Sequence, residues 1–331
     1  MSAQFVLLTA FSNSLTGGNP AAVVFTDLTQ PDKTLQDIAQ NLNQPITAFV
    51  SDQPLSRSFD RPLRSVAFSV RWYTTNRTEV PLCGHGTLAA AKAIFERPDV
   101  AQDTEVVELH TLARGVITAV RRPGGLIQIE MPATETQQVS SEEFTRISKI
   151  LNEASGRELK IELIATGGEG FETYTVFVLD EKEDIKNLPI NPTVLVRQFV
   201  NDLTTRETHV PAQSQRQAGF QVNIYTTVSS NTEERFVSRM FAPGFISGDE
   251  DHVCGSAHCL MAPYWYRRLG IDTTSEIKAK QVSARGGDLT ISWDSKKNRI
   301  TLAGEVVVLG NGEMKLAREP SRRGNNQRSH L

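Results

Sequence analysis

Glu79-Val80-Pro81-Leu82-Cys83-Gly84-His85-Gly86-Thr87 decides the fold, because its core returns 171 positions later as Cys254-Gly255-Ser256-Ala257. Each time, a cysteine and a glycine stand directly before a helical run. The first run, 87–95, is alanine-rich and ends at Pro98; the second continues through Arg268. Two further echoes appear in the same order. Thr16-Gly17-Gly18 is answered by Thr166-Gly167-Gly168, and Tyr73-Thr74-Thr75 by Tyr225-Thr226-Thr227. Three echoes in one order predict an internal duplication. Two similar lobes related by a pseudo-twofold axis would bring both Cys-Gly helix starts to one cleft.

The intervening pattern supports this reading. Strands are predicted over 4–10, 21–25, 48–50, 67–73, 174–179 and 221–225, and a short amphipathic helix over 35–42. Residues 51–65 read as a surface loop, and 51–65 with 201–217 are expected to shape access. Arg121-Arg122-Pro123-Gly124-Gly125 reads as the boundary between halves. The polar tail from Glu319 is predicted to be disordered.

At 331 residues, two domains are the expectation. A net charge of −3 argues against a nucleic-acid partner. No stretch reaches the eighteen apolar residues of a membrane helix, so no membrane partner is expected. The N-terminus lacks a basic signal-peptide region, so three free thiols in a reducing cytoplasm are expected. Their spacing matches no zinc motif, and no metal is assigned.

A helix N-terminus presents unpaired N–H groups and a partial positive charge, which suits a carboxylate. Gly84, Gly86 and Gly255 let a ligand approach that backbone. A cysteine there is expected to have its thiol pKa lowered from about 8.5 toward neutrality. Two such thiols facing one carbon form a two-base device: one removes a proton, the other delivers one to the opposite face. A free cysteine is more often a small buried hydrophobe, and Cys259 is read so. His85 and Asp251 stand close enough to orient the thiols, and His258 is read as a packing or capping residue.

These residues, with Gly18-Asn19-Pro20-Ala21-Ala22-Val23-Val24, Arg71-Trp72-Tyr73-Thr74, Glu250-Asp251-His252-Val253 and Gln281-Val282-Ser283-Ala284-Arg285-Gly286-Gly287, resemble the phenazine-biosynthesis-like (PhzF-like) isomerase family over nearly the whole chain. The resemblance implies an α+β, diaminopimelate-epimerase-like fold: two pseudo-symmetric lobes, each a mixed β-sheet wrapped around a central helix. The first lobe would span 1–122 with a returning strand at about 300–318, the second 123–299, and 319–331 the tail. It also implies a small-molecule substrate, no cofactor, a homodimer, and pocket positions at His85, Asp251, Gly255 and Ser256. One departure stands out. Where the phenazine isomerase carries a proton-shuttling glutamate, this chain has Ile46, which carries no proton.

The resulting expectation is a cofactor-independent isomerase or epimerase with Cys83 and Cys254 as acid and base, tuned by His85 and Asp251. Asn19, Gly84, Gly86, Thr87, Gly255, Ser256 and Ala257 would hold the substrate. Two alternatives stay open: an isomerase, dehydratase or cyclase using Asp251 and His85, and a family member that only binds a metabolite.

Overall fold

The computed structural model describes residues 2–52, 64–112, 115–196 and 221–316. The expected access segment 201–217, the expected disordered tail 319–331 and most of the expected loop 51–65 lie outside the described residues.

The chain first runs β1 (Ser2–Ala10), β2 (Asn19–Phe25), α1 (Asp32–Leu42), β3 (Ile46–Ser51), β4 (Ser65–Tyr73), β5 (Glu79–Val80) and α2 (Gly84–Phe95). It continues through β6 (Val106–Thr111), β7 (Gly115–Arg121), β8 (Ile127–Pro132), β9 (Thr136–Gln138) and α3 (Ser141–Ser155). The second half runs β10 (Ile161–Gly167), β11 (Tyr174–Leu179), β12 (Val222–Val228), β13 (Phe236–Phe241), β14 (Glu250–Asp251) and α4 (Gly255–Arg268). It closes with β15 (Ile277–Gln281), β16 (Gly287–Asp294), β17 (Arg299–Gly304) and β18 (Val306–Lys315).

Strand pairing shows the duplication directly. In the first half β1 pairs β2, β2 runs parallel to β3, β3 pairs β4, β4 runs parallel to β6, and β7 and β8 follow. In the second, β10, β11, β12, β13, β15, β16 and β17 repeat that order with the parallel steps in the same places. The halves join where β8 pairs antiparallel with β17. They also exchange their ends: β9 pairs β10, and β18 pairs β1. The segment 300–318, expected as one returning strand, therefore divides at Glu305, with β17 on β8 and β18 on β1.

Parallel neighbours need a crossover, and the crossovers from β4 to β6 and from β13 to β15 contain the two central helices. Every residue of α2 except Lys92 is buried, and α4 is buried on most of its surface. A helix apolar on all sides belongs in a core, wrapped by its sheet. Ala89, Ala90, Ala91 and Ala93 keep α2 thin enough for that wrapping. The main apolar core runs through both halves, from Leu88 and Ile94 of α2 through Ile129 and Leu302 at the join to Leu260 and Met261 of α4.

One expected echo is corrected. Tyr73 ends β4, but Tyr225 lies in β12, which occupies the place of β3. The two Tyr-Thr-Thr runs are not equivalent; they look alike because both are buried strand sequence beside aromatic partners. The Cys-Gly echo does fall on equivalent helix starts. No helix among the described residues is long and apolar enough to cross a membrane.

Candidate active site

Cys83 and Cys254 are the N-cap residues of α2 and α4, both in extended backbone, with φ/ψ of −142°/110° and −99°/102°. Each carbonyl is held by the side chain one helical turn later. Thr87 Oγ1 donates to Cys83 O at 2.6 Å, and His258 Nδ1 lies 2.8 Å from Cys254 O. The helices meet head to head. A Cβ built on Gly84 would lie 3.2 Å from Gly255 Cα, and one on Gly255 would lie 3.2 Å from Gly84 Cα. Glycine at both positions is what allows the two N-termini to share one space.

The thiols have matching surroundings. Cys83 Sγ lies 3.4 Å from His85 Nδ1, which lies 3.2 Å from Asn19 Nδ2 at the start of β2. Cys254 Sγ lies 3.3 Å from Ser256 Oγ, which lies 3.0 Å from the Tyr174 hydroxyl at the start of β11. So Asn19–His85–Cys83 and Tyr174–Ser256–Cys254 occupy corresponding places in the two halves.

Asp251 breaks the symmetry, since its counterpart is Val80. Its Oδ1 accepts from Asn19 Nδ2 at 2.6 Å, and Asn19 also donates to Val253 O at 2.9 Å. Gln281, on β15, fixes this strap: Nε2 donates to Asp251 O at 2.5 Å and Oε1 accepts from Cys254 N at 2.8 Å. Arg285 ties the halves together by donating to Gly18 O and Gly17 O, both at 2.9 Å.

Burial governs the electrostatics. It raises the Asp251 carboxyl to about 6, against the lowering effect of the Asn19 hydrogen bond and the Cys254 thiol. Burial lowers His85 to about 3, with His252 adding to the effect. The Cys83 thiol is pushed up to about 12 by burial, although the N–H groups of Gly86 and His85 act the other way. Cys254 is also raised well above its ordinary value, by burial and then by Asp251. Burial thus acts against the acidification expected of thiols at these helix starts. Loss of hydration outweighs the helix-terminus field here.

A cavity of about 520 Å³ opens onto this cluster and is lined by Cys83, Gly84, His85, Asp251, Cys254, Gly255 and Ser256. Its outer walls are apolar and aromatic, with Ile46, Phe171, Tyr174, Met240 and Phe245. Among the described residues its wall has no lysine or arginine. His85 Nε2 is buried and without a hydrogen-bond partner.

Other expected binding residues stand behind the wall. Asn19 and Thr87 are fully buried and serve the network and the helix start. Ala257 is also fully buried in the core. A Cβ on Gly86 would lie 2.9 Å from the Trp72 ring and 3.2 Å from Cys83 Sγ, so this glycine makes room for protein. Tyr174 and Gln281 are given no role by the sequence reading; the signal that leads to Tyr174 is the Thr-Gly-Gly echo, since each copy precedes the strand that begins with Asn19 or Tyr174. No cluster of three or more His, Cys, Asp or Glu able to hold a metal occurs among the described residues.

Comparison with known proteins follows this geometry. Residues 8–312 match the family described as phenazine biosynthesis-like protein. An uncharacterized isomerase of Halalkalibacterium halodurans is 29% identical over 316 residues, covering 96% of this chain and all of the relative. A crystal structure of a PhzF family protein from Enterococcus faecalis superposes with a TM-score of 0.70 at 28% identity, covering 96% of this chain and 100% of that one. A hydroxyproline epimerase from Agrobacterium vitis shares the fold at TM-score 0.55 and 13% identity, with 94% of this chain and 92% of that one covered.

Proposed function

Since this chain belongs to the phenazine biosynthesis-like protein family and is an isomerase, we propose that it moves a proton at a carbon next to a carboxylate or carbonyl of a small metabolite, with Cys83 and Cys254 as the proton carriers. The observation that carries this reading is the head-to-head contact of the two helix starts at Gly84 and Gly255. Both N-cap thiols border the same cavity, each beside a polar partner, which supports this reading.

The steps follow from the resting charges. Both thiols hold their protons, His85 is neutral, and Asp251 is mostly ionised at pH 7. Substrate entry places its acidic group on the paired helix N-termini, since no lysine or arginine lines the wall among the described residues. Asp251 takes the Cys254 proton, and the thiolate removes the proton from carbon. The Cys83 thiol delivers its proton to the opposite face, leaving a thiolate beside His85. After product release Asp251 loses its proton to solvent and Cys83 regains one, which restores the resting state. Negative charge developing on the substrate is held by the helix N–H groups. The reverse direction exchanges the roles of the two thiols. Ile46 supports a thiol route, since the wall position that carries a glutamate in the phenazine isomerase has no proton here.

A second reading uses Asp251 and His85 themselves as acid and base. The observation favouring it is that Asp251 changes charge near neutrality while both thiols are raised. Deuterium exchange at substrate carbon, read by NMR over a panel of amino and keto acids, separates the two. Loss of exchange in the Cys83→Ala, Cys254→Ala double variant supports the thiol route. Retention there with loss in Asp251→Asn supports the second. We place the activity in a reducing cytoplasm, in keeping with three free cysteines.

A further inference from the structure

The duplicated halves share a second matched feature. Arg71 on β4 grips Glu79 on β5 through Nε at 2.8 Å and Nη2 at 2.7 Å, one bond to each carboxylate oxygen. Arg239 on β13 grips Glu250 on β14 with the same atoms, at 2.7 and 2.9 Å. The strands correspond, and so does the register. Each arginine sits two residues before the aromatic residue opposite its glutamate: Tyr73 opposite Glu79, and Phe241 opposite Glu250. Each guanidinium also lies over that ring, at 5.2 and 4.8 Å from the centroid.

Each glutamate stands four residues before a cysteine, Glu79 before Cys83 and Glu250 before Cys254. The strands that carry them, β5 and β14, are two residues long and pair with β4 and β13 over those two residues. So short a ladder cannot by itself fix the direction of the strap that follows. A two-point arginine–carboxylate contact can, because it fixes orientation as well as distance. Both arginines are anchored on their far side. Arg71 Nη2 reaches Asp32 of α1 at 2.7 Å, and Arg239 Nη1 donates to Leu188 O at 2.6 Å and Ile185 O at 3.1 Å. Both are largely buried, with side chains 10% and 13% exposed.

We infer that Arg71–Glu79 and Arg239–Glu250 are paired positioning braces, each setting the placement of its own N-cap thiol, Cys83 and Cys254 respectively. The identical atom pattern in two halves with little shared sequence marks a constraint that both helix starts need. Its chemical consequence rests on the thiol reading above: a displacement near 1 Å at a reacting group costs roughly 10²-fold in rate. The structural part does not rest on that reading.

The test is site-resolved alkylation of the full chain by iodoacetamide, followed by peptide mass spectrometry, in Glu79→Gln and Glu250→Gln. Each substitution keeps the shape and removes the charge-assisted fork. Arg71→Lys and Arg239→Lys keep the charge and remove the fork, and serve as second variants where a glutamine variant does not fold. The expected result is local. Glu79→Gln and Arg71→Lys change Cys83 labelling by roughly tenfold or more and leave Cys254 within about twofold; Glu250→Gln and Arg239→Lys do the reverse. Equal changes at both cysteines, or no change at either in folded variants, overturns the braces. Turnover is read separately. If the cysteine-to-alanine variants stay active, the thiol reading fails while the labelling still decides the braces.

Discussion

Asn19 Nδ2 lies 2.6 Å from Asp251 Oδ1, a hydrogen bond that joins the start of β2 in one half to β14 in the other. The same amide nitrogen lies 3.2 Å from His85 Nδ1, so one side chain behind the cavity wall touches the partners of both thiols. A donor on a carboxylate favours its charged form. Asn19→Leu is therefore predicted to raise the Asp251 pKa above about 6, by roughly one pH unit for the loss of one charge-assisted hydrogen bond. The acid limb of kcat/KM should move to higher pH by that amount. An unmoved limb would remove Asp251 from the reacting set.

Asp251 also gives a stability prediction. Its folded pKa, about 6, lies above the ordinary value of 3.8, so between these values the folded state binds the proton that the unfolded state has released. Stability attributable to this group is greatest below pH 3.8 and falls as pH rises through about 6. Asp251→Asn removes that penalty. At pH 7 the variant should be more stable by about 3 kcal/mol and should lose most of its turnover. Urea unfolding at pH 5 and pH 8 checks it, with the gain larger at pH 8.

Gly84→Ala and Gly255→Ala should each drive the helix starts apart, because the new methyl group meets the opposing Cα at 3.2 Å with little room to yield. A stability loss of about 1–3 kcal/mol is expected for either, with a disproportionate loss of turnover. Ala89→Ser, away from the contact on the same class of buried helix, serves as the comparison. Thermal melting and steady-state rates measured together separate misplacement from unfolding.

Tyr174→Phe tests the second of the two matching chains. The substitution removes the 3.0 Å contact to Ser256 and leaves the ring in place against Phe171. We expect a stability change near 1 kcal/mol and a rate loss on the order of tenfold, larger in the direction that uses Cys254 as base at the start of turnover in single-turnover experiments.

Much of this was legible from the residues. Cys-Gly before a helical run is a local signal, and both helix starts, the flanking strands and the duplication followed from it. Other features were not local. The Tyr73 and Tyr225 echo misled because strand sequences in a buried sheet draw on few residue types. Tyr174 stayed hidden because Asn19 precedes its cysteine by 64 positions and Tyr174 precedes its own by 80, so no fixed offset relates them. Helix α3 carried its own start signal, with the Ser140 hydroxyl accepting from the Glu143 N–H at 3.2 Å, yet has no counterpart in the first half to draw attention to it. The raised thiol pKa values depend on how completely the sheet wraps two helices, which no stretch of eight residues reveals. Ile46 was read correctly as a residue without a proton, but its place on the cavity wall required the fold.

The central claim is that Cys83 and Cys254 serve opposite faces of one substrate carbon. It is tested most directly by following deuterium wash-in and stereochemical inversion together, in D₂O, with the wild type and the Cys83→Ala and Cys254→Ala variants. The account predicts that the wild type inverts and exchanges a substrate from the panel, while each single variant loses inversion and exchanges one stereoisomer only. Inversion at the wild-type rate in both single variants would contradict it.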